Sequence, residues 1–323
     1  MTIKMKSYSI GIDIGGTNTG FGLVDNDGNI LETLSISTKE YATSDLYLDE
    51  VTKNIISLIE KCQNKDLIRG IGIGAPNGNY YYGTIEHAPN LNFHGIIRVK
   101  DHIEQNLEEK GYNLKVTLTN DANAAALGEM IYGGAKNINN FIMITLGTGV
   151  GSGIVVDGKI VYGHDGFAGE VGHTIVQPEG RLCGCGRRGC VETYSSATGI
   201  KKTAIELMEK TNTLSTLRSL PEDKIGGKTI YEAAMNGDEL AIKCFDITAK
   251  MLAIGIANAV AVTSPQKIFL FGGLTKAGDL LMTPLKKYFE ESLFVVFQNK
   301  IELQLSLLNE NNAAILGAAA LTY

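Results

Sequence analysis

The strongest constraint on the fold is an internal repeat. Residues 8–14 read as a buried strand, Tyr8-Ser-Ile-Gly-Ile-Asp13-Ile, followed by the small-residue turn Gly15-Gly16-Thr17-Asn18-Thr19-Gly20. Residues 21–24 give a second strand, Asp25-Asn-Asp-Gly28 a turn, and residues 29–36 a third strand. The same order returns in mid-chain, with an apolar strand at 141–146, Gly147-Thr148-Gly149-Val150-Gly151, a strand at 153–156, Asp157-Gly158 and a strand at 159–162. Overlaid, Gly15 falls on Gly147, Leu23-Val24-Asp25 on Val155-Val156-Asp157, and Gly28 on Gly158 after a short deletion. Asp-Gly between apolar runs signals a tight hairpin. The expectation is an α/β protein of two homologous βββαβα halves facing across a cleft.

Between the repeats, Ser44 or Asp45 opens a helix with Leu48, Val51, Ile55, Leu58, Ile59 and Cys62 on one face. Strands at 69–74 and 115–119 and a helix at 99–110 complete the first half. Later segments read as helices at 195–210, 229–236 and 238–262, a strand at 267–271 ending in Gly272-Gly273, a helix from Lys276 and a strand at 301–307. A small-residue helix at 313–321 could pack back on the first half. Domain limits are expected at 1–121 plus 308–323 for the smaller domain and 122–307 for the larger.

A second constraint lies in Gly169-Glu170-Val-Gly-His173 and Cys183-Gly-Cys185-Gly-Arg-Arg-Gly-Cys190-Val-Glu192. Three of the five cysteines fall here, with a histidine upstream. Three thiolates and one imidazole form a closed tetrahedral set, the pattern of structural zinc, whereas catalytic zinc keeps a position open. A disulfide pair would require an oxidising compartment, and a redox Cys-x-x-Cys is absent. Glu170 and Glu192 bracket the proposed ligands His173, Cys183, Cys185 and Cys190. Cys62 and Cys244 read as core residues.

Each hairpin turn offers backbone N–H groups suited to phosphate oxygens. Thr17 and Thr148 add hydroxyls, and Asp13 is placed for a magnesium ion that bridges phosphates. Its bland alternative is a turn-capping aspartate. Other nucleotide motifs fail: Gly227-Lys228-Thr229 has Glu222 where a P-loop needs glycine, and 147–151 lacks the dinucleotide spacing. Asn120-Asp121 sits between a strand and an alanine-rich helix. There a carboxylate either caps the helix or serves as a general base on an alcohol attacking a γ-phosphate.

These motifs, with Gly74-Ala-Pro-Asn77 and Ala88-Pro-Asn90-Leu91, resemble the ROK family of repressors, open reading frames and sugar kinases. The likeness spans essentially the whole chain and is nearest the bacterial glucokinase type. It implies the actin-like, ribonuclease H-like ATPase fold and ATP-dependent phosphorylation of a hexose, with Mg²⁺ and structural Zn²⁺. By motif, Asp121 is the implied base on the 6-hydroxyl. Asn90, Asn120, Glu170, His173 and Glu192 are the implied sugar ligands. Asp13, Gly15, Gly16, Thr17, Asn18, Gly147, Thr148, Gly149, Gly272 and Gly273 line the nucleotide side. Two departures touch the expected sugar pocket. Asn77 stands where the family often has glycine, and Asn92-Phe93 follows where it has tryptophan, a residue this chain lacks.

Within the family the alternatives are fructokinase, allose kinase and N-acetylglucosamine or N-acetylmannosamine kinase. A sugar-responsive repressor would carry a DNA-binding domain before the first strand, and only seven residues precede Tyr8 here, so an enzyme is expected. A net charge of −6 argues against nucleic acid or an anionic membrane as partner. The short polar start argues against a signal peptide, so a cytoplasmic protein is expected, and the family likeness implies a homodimer.

Overall fold

The computed structural model describes residues 7–310 and 312–323; of the short polar start expected at Met1–Ser7, residues 1–6 lie outside them. The first repeat forms β1 (Tyr8–Ile14), β2 (Asn18–Asp25) and β3 (Ile30–Ser37), an antiparallel meander. Helix α1 (Ser44–Lys61) follows, capped by Thr43, whose Oγ1 accepts the Leu46 amide at 3.3 Å. The expected face of α1 is buried, Cys62 included. Strand β4 (Ile68–Ala75) runs parallel to β1. A small antiparallel sheet of β5 (Gly78–Asn79), β6 (Thr84–Glu86) and β7 (Ile96–Ile97) intervenes. Then come α2 (Val99–Glu109), β8 (Val116–Asn120) parallel to β4, and α3 (Asp121–Ile131). The sheet order is β3-β2-β1-β4-β8.

The second repeat gives β9 (Phe141–Leu146), β10 (Val150–Val156) and a short β11 (Lys159–Ile160) that stops before the expected end. A single helix was expected at 195–210. Instead α4 (Glu192–Ser195) and α5 (Ala197–Lys210) are separated by Ser196, which turns extended and caps α5 by accepting the Gly199 amide. Next are α6 (Gly227–Met235), α7 (Glu239–Thr263), β12 (Lys267–Phe271), α8 (Asp279–Ser292), β13 (Glu302–Leu305) and α9 (Ala313–Ala320). The sheet order β11-β10-β9-β12-β13 reproduces that of the first sheet.

Two compact units result. One contains residues up to Asn139 with Gly153–Ala168 and Leu307–Tyr323; the other contains Asn140–Ser152 and Gly169–Ser306. The boundary thus runs within β10, and α3 groups with the first unit, whereas the sequence division ran at 121 and 307. The reason is packing: α3 lies against α9 and β4.

Period-two alternation explains the first unit. Ile10, Ile12 and Ile14 of β1 join the core formed with Val51 and Ile55 of α1 and Ile103 of α2. The intervening Gly11, with Gly72 of β4, leaves the other face flat for α9. A Cβ on Gly11 would overlap the Ile315 carbonyl oxygen, and one on Gly72 the Ala318 carbonyl oxygen. In the second unit, Ile142, Met143, Ile144, Ile268, Phe269 and Leu270 are buried on β9 and β12. Cys244 is buried on α7. Among the described residues no helix is long and apolar enough to cross a membrane.

Gly72→Ala should therefore destabilise the protein by about 1–3 kcal/mol or more, because helix backbone cannot yield as a flexible side chain can. Urea titration measures it, and a midpoint equal to wild type would contradict the close α9 packing.

Candidate active site and metal centre

In the first unit, the turn between β1 and β2 closes on itself: the Gly15 amide donates to the Asn18 carbonyl at 3.0 Å. That N–H is thus used within the turn itself. The next two, Gly16 and Thr17, donate to no protein acceptor among the described residues, and Thr17 and Asn18 are exposed. Gly16 has a packing role as well, since a Cβ there would meet the Asn90 carbonyl oxygen at 2.5 Å. The structure thus sets Asn90 beside the phosphate-type turn.

Asn120 and Asp121 divide the duties that the sequence left open. Asn120 is the N-cap, its Oδ1 accepting the Ala122 and Asn123 amides at 2.8 and 3.2 Å. Asp121 is the first helical residue, and its Oδ1 accepts the Ala122 amide at 2.8 Å. Its side chain keeps solvent access while dense surrounding protein desolvates it. This raises its carboxyl above the usual range against the opposing pull of its backbone hydrogen bonds. Asp13, at the end of β1, is raised to about 6, by burial first and by the charge of Asp121 second. Asp13 therefore senses the charge of Asp121.

Both departures from the family pattern prove to be scaffold. Asn77 adopts φ +51°, a left-handed backbone that glycine tolerates best and asparagine next. Its Nδ2 donates to the Glu86 and His87 carbonyls at 3.0 and 3.3 Å. Phe93 is buried and stacks on Tyr47 with ring centroids 5.3 Å apart.

In the second unit, the Gly147 amide donates to the Gly149 carbonyl at 3.0 Å, so Gly147, like Gly15, closes its turn. The Thr148 and Gly149 amides have no protein acceptor among the described residues. Glu192 lies against this turn: its Oε2 accepts the Val150 amide at 3.2 Å, and Cys183 Sγ lies 3.7 Å from its Oε1. Glu170 is exposed and precedes a short 3-10 turn, Val171–His173. Ser152, which no motif singles out, donates to the Gly169 carbonyl and accepts the Val171 amide. Gly272 follows β12 with φ +109° and packs on the Leu146 backbone, and Gly273 begins the next 3-10 turn.

The four expected metal ligands converge, one ligand atom of each lying within 4.8 Å of the others. His173 Nδ1 is 3.6 Å from Cys183 Sγ, and the Sγ atoms of Cys185 and Cys190 are 3.7 Å apart. Zn–S bonds near 2.3 Å and a Zn–N bond near 2.0 Å, set tetrahedrally, require edges of about 3.5–3.8 Å. The donor set therefore fits zinc. Burial holds the Cys183 and Cys190 thiols up; at Cys185 burial also pushes up, but hydrogen bonds from the Arg187 amide and guanidinium together with those of Cys183 and Cys190 outweigh it and bring the thiol down. Metal capture here must displace protons.

Arg181 secures the knuckle to α5. Its guanidinium donates to Glu206 at 2.7 Å, to the Thr193 and Gly199 carbonyls, and to Thr203.

The model of the ROK family matches residues 9–323. The chain belongs to the ROK family. It is 36% identical to a glucokinase of Halalkalibacterium halodurans over 96% of this chain and 93% of that protein. A crystal structure of a ROK family glucokinase from Streptomyces griseus, in complex with glucose and AMPPNP, superposes with TM-score 0.78 at 33% identity. That match covers 98% of this chain and 99% of that one. A xylose repressor of Caldicellulosiruptor bescii is 28% identical over 97% of this chain and 77% of its own length. The fold of this ROK protein is the actin-like α/β fold of such relatives, with a Cys/His set that fits a zinc knuckle.

A carboxyl raised above its unfolded value binds its proton more tightly in the folded state. The contribution of Asp13 to stability is therefore present below pH ~4 and lost as pH rises through about 6. Between pH 4 and pH 7, wild type should lose about 1–2 kcal/mol relative to Asp13→Asn, discounted for partial exposure. Parallel urea midpoints for the two proteins across that range would count against the shift.

Proposed function

We propose that this protein is an ATP-dependent hexose kinase with glucose as acceptor, yielding glucose 6-phosphate and ADP. One observation carries the mechanism: Asn120 takes the helix cap, so Asp121 is not needed for it, and desolvation makes the Asp121 carboxylate more basic. It accepts the proton of the 6-hydroxyl as that oxygen attacks the γ-phosphorus. Asn90, Asn120, Glu170, His173 and Glu192 are assigned to the remaining sugar hydroxyls. With Nδ1 toward the cysteines, His173 has Nε2 for this task.

Phosphate oxygens are assigned to the amides of Gly16, Thr17, Thr148 and Gly149, with Asn18 and the Gly272-Gly273 turn lining the nucleotide. Asp13 would hold Mg²⁺, which supplies charge neutralisation on the phosphates. His173, Cys183, Cys185 and Cys190 would hold a zinc ion, which would fix the loop that carries Glu170 and Glu192. The glucokinase relatives support this reading, as do the glucose and AMPPNP of the S. griseus structure. A cytoplasmic homodimer belongs to the same proposal.

The xylose repressor likeness favours one second reading, a sugar-responsive DNA-binding regulator. Sequence-specific gel shifts without sugar turnover would establish it.

Coupled detection of ADP release tests the kinase reading against glucose, mannose, fructose, allose and the two N-acetylhexosamines. Turnover is expected on glucose, and Asp121→Asn should bind sugar while losing roughly 10²–10⁴-fold in kcat. Wild-type turnover in that variant would remove Asp121 as base, and turnover on another sugar alone would replace the acceptor. Cys183→Ser should lower zinc content and sugar affinity together. Unchanged metal content in the purified variant would refute the ligand assignment.

A further inference from the structure

The residues immediately after the cysteine knuckle hold the glycine turn of the second unit from beneath. Glu192 accepts the Val150 amide through Oε2 at 3.2 Å. The Ala197 amide donates to the Gly147 carbonyl at 2.9 Å. Thr198 Oγ1 donates to the Thr148 carbonyl at 2.9 Å. Ser196 ties the segment together, its Oγ donating to the Glu192 carbonyl at 2.7 Å and lying 2.9 Å from Thr198 Oγ1.

In a planar trans peptide, the C=O and the following N–H point in opposite directions. Holding the Gly147 carbonyl therefore aims the Thr148 N–H away from the segment, and holding the Thr148 carbonyl does the same for the Gly149 N–H. These are the two turn amides with no protein acceptor among the described residues. Glu192 also touches the metal-ligand set, through Cys183 Sγ at 3.7 Å, and follows Cys190 by two residues.

We propose that the segment 192–198 is a brace that orients the Thr148 and Gly149 amides, so that metal capture at the knuckle sets affinity for nucleotide phosphates as well as for sugar. Thr198 is a positioning residue in this scheme. The inference rests on reading the 147–150 turn as phosphate-binding, and its test separates the two claims.

Backbone ¹⁵N order parameters at Thr148 and Gly149, and calorimetry of Mg-ADP without sugar, are measured on three proteins: wild type, Thr198→Val and zinc-depleted wild type. In both altered proteins the order parameters should fall from about 0.85 toward 0.6. Loss of one hydrogen bond should weaken Mg-ADP about three- to tenfold in Thr198→Val, with glucose affinity unchanged. Zinc depletion should weaken both ligands.

Unchanged order parameters in both altered proteins overturn the brace, whatever nucleotide does. A turn that loosens in Thr198→Val but not on zinc depletion overturns the metal link. A loosened turn with unaltered Mg-ADP affinity overturns the coupling to nucleotide. A wild type that binds no Mg-ADP, together with a turn that loosens in both altered proteins, sinks the phosphate reading and leaves the brace standing.

Discussion

A strand–turn–strand hairpin must satisfy its own backbone before it can offer anything to a ligand, and the site depends on how it does so. In both halves the first turn glycine, Gly15 or Gly147, donates its amide within the turn. The next two amides are left without protein acceptors among the described residues. Successive backbone N–H groups without protein acceptors at the end of a strand are suited to an anion. The repeat thus supplies one such pair in each unit by one backbone device.

Around this device the two units solve the support problem differently. The first packs its turn directly, with Gly16 close against Asn90 and with Phe93 stacked on Tyr47 in the core behind it. The second ties its turn by hydrogen bonds from α4 and α5, which begin where the cysteine knuckle ends. The knuckle spans too few residues to bury a core of its own, and its Cys/His donor set is of the kind through which a tetrahedral metal would supply what packing cannot. Arg181, almost enclosed and bonded to Glu206 and two carbonyls, joins that small loop to the longer α5.

The acidic pair at the first turn shows a conflict between stability and chemistry. Desolvation raises both carboxyls, and the charge of Asp121 raises Asp13 further, which a core chosen for stability alone would avoid. Strongly perturbed carboxylates grouped at a turn suited to anions point to function. The glycines on β1 and β4 have the opposite origin: they admit α9 and serve the fold.

Much of this was determined by the sequence itself. The repeat, the strand and helix order, the ROK motifs and the converging set of His173, Cys183, Cys185 and Cys190 are local patterns whose period or spacing survives in the linear chain. Tertiary structure alone decided that Asn120 rather than Asp121 caps α3, that Gly15 and Gly147 close their turns, and that Asn77 and Phe93 are scaffold. It also revealed Ser152 and Thr198 as supports and split the helix at Ser196. Each of these depends on which of two neighbouring groups reaches a shared partner, or on what lies across a gap of many residues. A sequence records residue types and spacing, but not which hydrogen bond wins when several are chemically possible.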